Sequence, residues 1–378
     1  MKSTVKKILA ALLALTMLLA LAACGGTDEP NPGNSDSAGD PGTQQSSPPV
    51  TDDKVYDITV ELNYPEPAAN ILTQYFKDLE ELSSGRLHFD IYYGYSLNGE
   101  AGILDALEAG IIQVAGFMPY TEDTLFPYSG ALFNMPFLGF TDMEAATDIW
   151  YQMLESSPEM QAEYDNAGLT VIAASANPIY DLHFKNGDLN IRVPSDLKGL
   201  SIITTVPEIQ TIVNNNGGAP IEAAPGDYYS NLDKGVAEGI IQHINILTSF
   251  GVNPELCGQH VRFEKAGGGF VTSIINVVWS TEHLNSLPQD LQDIINTRSA
   301  TLSDEMVSND MGLVENNYKL SEDAGAKIVY LTEEEGQAWR DAAAPIVEES
   351  LARYEKEGAD QMTAMYQRLK DTIANYSK

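Results

Sequence analysis

Between residues 56 and 244 the spacing of apolar residues switches repeatedly from every second position to every third or fourth, which restricts the chain to few folds. Ile58, Val60 and Leu62 alternate as in a half-buried strand. A turn at Asn63, Tyr64 and Pro65 follows, and Leu72, Tyr75, Phe76 and Leu79 then share one helical face. Leu87, Phe89 and Ile91 alternate again; Ile103, Leu104 and Leu107 mark a helix stopped by Gly110, and 111–117 reads as an apolar strand. The pattern recurs in a helix over 143–154 with Ala146, Ile149, Trp150 and Met153 inward, a strand at 169–174, helices at 209–215 and 228–234, and a strand at 236–244. Strands that alternate with helices predict an α/β fold, parallel sheet covered by helices. Past Pro288 the texture turns helical: 291–320 has no proline and only Gly312, a short strand at 326–331 interrupts, and helices at 333–356 and 359–375 close the chain around Gly358. Residues 54–378 exceed what one core usually covers, so two lobes are expected.

The beginning of the chain predicts the compartment. Lys2, Lys6 and Lys7 precede an apolar run over 8–20 that is too short to span a bilayer, and Leu21-Ala22-Ala23-Cys24 resembles a lipobox. Residues 1–23 therefore read as a lipoprotein signal peptide and Cys24 as an acylated N-terminus. Residues 24–53 are rich in Gly, Pro, Ser, Asn and Asp, and read as a flexible linker. Cleavage removes three lysines and no acid, leaving 18 basic against 54 acidic residues. Such a charge excludes nucleic acid as a partner, because binding phosphates needs the opposite sign. Cys257 is then the one remaining cysteine, so neither an intramolecular disulfide nor a thiolate zinc site is expected.

Residues with catalytic spacing are not found. His88, His183, His243, His260 and His283 lie far apart in sequence, none at metal-ligand spacing, and no metal or cofactor is expected. There is no nucleophile elbow and no P-loop; the glycine run at 265–269 lacks a following helix and reads as a turn. Thr332 with Glu335 fits a capping box, a structural role. These residues favour binding over turnover.

Five stretches, in order, resemble the solute-binding subunits of TRAP transporters, tripartite uptake systems often described for C4-dicarboxylates. They are the turn and strand at 83–99 with the helix at 104–110, Asn134-Met-Pro-Phe-Leu138, the segment 194–202 (Pro-Ser-Asp-Leu-Lys-Gly-Leu-Ser-Ile), 229–239, and 284–294. The resemblance spans everything after the linker. It implies a periplasmic-binding-protein type II fold with two α/β lobes, a ligand cleft and long C-terminal helices. Lobe I would comprise 54–176 and 267–307, and lobe II 177–266 and 308–378, joined near Asn177 and Gly267. It also implies an extracytoplasmic receptor, held to the cell membrane by lipid, that closes on a small molecule and delivers it to membrane permease subunits. A sensor lipoprotein without a permease, or a two-lobed periplasmic enzyme, are the alternatives; an enzyme is not expected.

The departures from the family pattern matter most for the ligand. Where the family carries an arginine that forks onto a substrate carboxylate, this chain has Ile203; a second basic position seen in some members falls near Tyr180, and the family's asparagine after its Asp-Gly pair is Gln242. The candidate ligand residues are Asn63, Tyr64, Phe117, Met118, Tyr120, Asn177, Tyr180, Ile203, Tyr229, Gln242 and His243, with Tyr228 as the alternative to Tyr229. Rings with amide and phenol groups suit a neutral or cationic, partly apolar ligand.

Overall fold

A computed structural model describes residues 54–66 and 69–376. The signal segment, Cys24 and the linker lie outside the described residues. The first sheet has the order β2-β1-β3-β10-β4, built from β1 (Tyr56–Leu62), β2 (Leu87–Tyr93), β3 (Val114–Phe117), β4 (Leu169–Ala176) and β10 (Ile274–Ser280). The second has the order β11-β9-β5-β8-β6-β7, from β5 (Asp181–Phe184), β6 (Ser201–Ile203), β7 (Ala219–Ile221), β8 (Gly239–Gln242), β9 (Gln259–Arg262) and β11 (Lys327–Tyr330).

Local pattern becomes structure directly where helix and strand pack on each other. Ile58, Val60 and Leu62 are buried, and so are the four apolar residues of α1 (Asn70–Leu82), in one core with Trp279 and Ile295. The sheets are mixed rather than parallel. β10 runs antiparallel to β3 and β4, and β5 antiparallel to β8 and β9, because the chain that leaves the first sheet along β4 comes back to it along β10. The strand expected over 111–117 begins only at Val114; Ile111 is exposed in the turn before it.

The chain passes between the sheets at 177–180 and 263–273, and the two crossings bond to each other: Asn177 N–H to Ser273 O at 2.7 Å, Tyr180 N–H to Val271 O at 3.0 Å, Phe270 N–H to Tyr180 O at 3.2 Å. The glycine run lies in the second crossing, where a Cβ on Gly268 would sit 2.4 Å from Phe140 O and one on Gly269 2.2 Å from Ile179 Cγ2. It allows close packing of backbones, not phosphate binding.

Two helices also straddle the halves. At one end of α2 (Leu302–Asp323), Ser303 meets Tyr151 and the Ala174 amide of the first half; at the other, Tyr318 donates to Asp181 at 2.7 Å in the second. In α3 (Glu333–Lys356), Trp339, Ala343 and Ile346 enter the second core, whereas Val347, Leu351 and Tyr354 enter the first. Pro345 sits beside that changeover and removes one helical hydrogen bond there. The last helix, α4 (Met362–Asn375), places Met365 and Leu369 in the first core with Trp150, rather than with the second sheet to which the sequence reading assigned 308–378. The apolar face of a terminal helix shows where it is sticky, not which body it will cover.

Candidate ligand site between the two sheets

Side chains from both halves meet over the crossing strands. Tyr64, past the end of β1, donates its phenol to Asn177 Oδ1 at 2.8 Å, and Asn177 Nδ2 donates to Ser273 Oγ at 3.0 Å. Ser273 Oγ lies 3.4 Å from the Tyr180 hydroxyl, and the Tyr180 ring stands 5.5 Å from the His243 ring. Gln242, the last residue of β8, reaches the Tyr228 hydroxyl at 3.3 Å. Tyr120 and Gln242 lie near the Tyr180 phenol and oppose the rise that burial imposes on it. These groups sit at strand ends and in the crossings, where folds of this kind place ligands.

The structure therefore brings together Tyr64, Tyr120, Asn177, Tyr180, Gln242 and His243. Met118 joins them indirectly, its Sδ accepting from the Tyr120 hydroxyl at 3.2 Å. Asn63 lies over Gly116, its buried Oδ1 without a hydrogen-bond partner among the described residues. Three expected residues are elsewhere. Phe117 is core, edge-on to Phe126 at 5.0 Å. Ile203 is fully buried in the core beneath β6 with Leu232 and Leu247. Tyr229 turns outward to Glu255 at 2.7 Å, and its neighbour Tyr228 takes the inward position. Adjacent helical residues point about 100° apart, so pattern alone could not choose between them. Ser273 was missed, because nothing near it in sequence says that its hydroxyl meets Asn177 and Tyr180.

Burial pushes the phenols of Tyr64, Tyr95, Tyr120, Tyr180 and Tyr228 up, so all are protonated donors at neutral pH. Carboxylates add to that push: Glu100 on Tyr95, Tyr120, Tyr180 and Tyr228, and Asp310 on Tyr64. His243 is driven down to about 3 by burial and is neutral; its Nδ1 accepts the Ile246 N–H at 3.4 Å, capping a short helix. A cavity of about 800 Å³ lies on the first half, lined by Leu104, Tyr128, Glu163 and Tyr354, with none of the residues of this cluster.

Behind the cluster the fold brings two of the sequence-distant histidines together. His183 and His260 approach Nδ1 to Nδ1 at 2.6 Å, and His183 Nε2 meets Gln242 O at 2.8 Å. Among the described residues no group of side chains could hold a metal ion. Burial drives the pair down to about 4 and about 2. Unfolded imidazoles near the ordinary 6.5 take up protons that the folded ones refuse, so the stability contributed by this pair is complete above about pH 6.5 and is lost as pH falls below it. Ring NMR signals of both residues are expected to remain those of neutral imidazole from pH 8 to about pH 5.5. A titration midpoint near 6.5 for either would contradict the paired, dry environment.

Residues 63–354 match the model of bacterial extracellular solute-binding protein family 7, DctP. The chain belongs to that family. Solved structures agree in fold. A marine metagenome TRAP solute-binding protein specific for aromatic acid ligands, in complex with 3-hydroxybenzoate, superposes with a TM-score of 0.74 at 19% identity, covering 86% of this chain and 100% of that one. A Rhodoferax ferrireducens TRAP solute-binding protein with copurified benzoate gives 0.72 at 20% identity over 85% and 99%. A Sulfitobacter protein with bound β-D-galacturonate gives 0.70 at 14% identity over 84% and 100%. No curated protein sequence matches the chain. The two-lobed TRAP receptor expected from the sequence is thus the family observed, and its type is transport receptor.

Proposed function

We propose that this family 7 protein captures a small organic molecule in the tyrosine cluster, closes its two halves around it, and presents it to TRAP membrane permease subunits. The observation that carries this reading is that Tyr64 from the first half and Asn177, Tyr180 and Ser273 from the crossings form one hydrogen-bonded set, with the ring of His243 from the second half against Tyr180. A ligand there touches both halves, so its binding favours the closed arrangement. The crossings near Asn177 and Gly267 are the hinge of that closure. The protein binds without turnover: in the cluster His243 is committed to a helix cap, and the phenols are held un-ionised. Small-angle scattering is expected to show a smaller radius at saturating ligand, and Tyr180→Ala to weaken binding at least about 30-fold, as for a buried aromatic anchor. An unchanged radius with unchanged affinity in Tyr180→Ala would place the ligand elsewhere.

We also infer that Cys24 carries the lipid that anchors the receptor outside the cytoplasmic membrane, with 24–53 as its tether. Two acyl chains hold stably where one does not, each buried CH₂ contributing ~0.8 kcal/mol. An alkyne fatty acid is expected to label the wild type and not Cys24→Ala; a labelled variant would contradict the anchor.

A further inference from the structure

The bonds around the His183–His260 pair leave one place for each ring hydrogen. His183 Nε2 lies 2.8 Å from Gln242 O, and a carbonyl oxygen accepts but cannot donate, so the proton of His183 is on Nε2. Burial holds both rings neutral, which leaves Nδ1 of His183 with a lone pair. Across 2.6 Å stands Nδ1 of His260, which is therefore the donor. Nε2 of His260 then bears no proton. That nitrogen is fully buried, and among the described residues no donor reaches it.

An imidazole pair with one starved acceptor is a poor way to fill a core. Two apolar side chains in the same layer, edge-on to Tyr318, would leave no group unsatisfied. What the pair supplies instead is a direction. His183 and His260 stand opposite each other in the β5–β9 ladder, so the line of N–H bonds runs across the sheet from β9 through β5 to the last residue of β8. The peptide it holds, Gln242 to His243, carries polar groups of the second half. Gln242 Oε1 accepts the His243 N–H at 3.0 Å, which turns Nε2 of the same amide to the Tyr228 hydroxyl at 3.3 Å. His243 Nδ1 accepts the Ile246 N–H at 3.4 Å, and the face of its ring is set 5.5 Å from the Tyr180 ring.

We propose that His183, backed by His260, is a positioning residue of the receptor: its Nε2–H holds the Gln242 carbonyl and so orients Gln242, Tyr228 and His243 against Tyr180. This rests on the receptor reading, and the decisive tests need no ligand. Long-range proton–nitrogen correlation spectra of protein labelled in its histidine rings are expected to show His183 protonated at Nε2 and His260 at Nδ1, with coupling across the bond between the two Nδ1 atoms. The opposite tautomer at either ring overturns the proposal. Hydrogen exchange then separates positioning from core filling. His183→Phe keeps a ring and loses the donor; the His243 and Ile246 amides are expected to exchange at least about tenfold faster, while those of β6 and β9 keep their rates. His183→Gln, whose side-chain amide reaches as far as the imidazole Nε2, is expected to bring the rates back to within about threefold of the wild type, and the Tyr180 and Tyr228 ring signals with them. Equal acceleration throughout the second sheet, or no recovery in the glutamine variant, makes the pair core filling and overturns the proposal. Because tautomers and exchange are read on the free protein, they can fail while closure seen by scattering stands, and closure can fail while they stand.

Discussion

Asp181→Ala is expected to cost about 3 kcal/mol of stability, read as a lowered urea midpoint with unchanged slope. The carboxylate is buried at the start of β5 and does three things at once. It accepts the Phe263 N–H at 3.0 Å, accepts the Tyr318 hydroxyl at 2.7 Å, and faces Arg262, whose Nε lies 3.8 Å away. The arginine is itself buried, and 3.8 Å is an ion-pair distance, not a hydrogen bond, so its Nε already lacks an acceptor. Removing the carboxylate leaves a buried cation and two unsatisfied donors, which costs about 3 to 5 kcal/mol. The lower end applies here because Glu264 still pairs with Arg262 at 3.0 Å. Asp181→Asn keeps one acceptor and is expected to lose about half as much. A loss below about 1 kcal/mol for alanine would show that water enters this layer, since only solvent could satisfy what the carboxylate leaves behind.

This cluster also shows where the sequence was readable and where it was not. Elements whose two faces are decided within their own residues came through: α1, β1 and the Thr332–Glu335 capping box, with Thr332 Oγ1 accepting the Glu335 N–H at 3.2 Å. β10 did not, although Ile274–Ser280 is apolar apart from Asn276 and Ser280, because it inserts between two strands far earlier in the chain and only that pairing gives it a direction. The same holds for the site. Tyr64, Tyr120, Asn177, Tyr180, Gln242 and His243 stand at ends of elements, a position that pattern can locate. Ser273 lies in the crossing just before β10, and nothing near it in sequence says that it meets Asn177, ninety-six positions earlier. Arg262 and Asp181 are far apart in sequence and meet only because β5 and β9 are neighbours. Ile203 was placed in the cleft by alignment with an arginine; a long side chain can leave that position for the ligand, whereas an isoleucine remains in the core beneath it.

The Asn134-Met-Pro-Phe-Leu138 stretch, which the sequence singled out only by resemblance, turns out to fasten the halves together. Met135 and Leu138 point into the first core, and Leu138 O accepts Lys370 Nζ from α4 at 2.8 Å. Phe137, between them, points the other way. Its ring lies 5.0 Å from Phe270 and 5.6 Å from Phe263, inside the second core with Tyr180 and Trp339, and its N–H donates to Phe270 O at 2.8 Å. To face that way its backbone takes φ 57°, a left-handed conformation that a bulky side chain holds only when packing compensates. Phe137→Ala is therefore expected to lose about 3 to 5 kcal/mol, the range for a buried aromatic ring cut to a methyl group. Because the ring is a plug from one half in the other, set against the 263–270 crossing, part of the loss should appear as looser coupling. Amides of 263–273 and 177–180 are expected to exchange with solvent faster than those of β1 and β3, and ligand affinity to fall with them. Phe137→Leu, which refills most of the volume, should recover much of both. If alanine lowers stability but leaves exchange in the crossings and ligand affinity untouched, Phe137 is core filling and the pivot between the halves lies in the crossing strands alone.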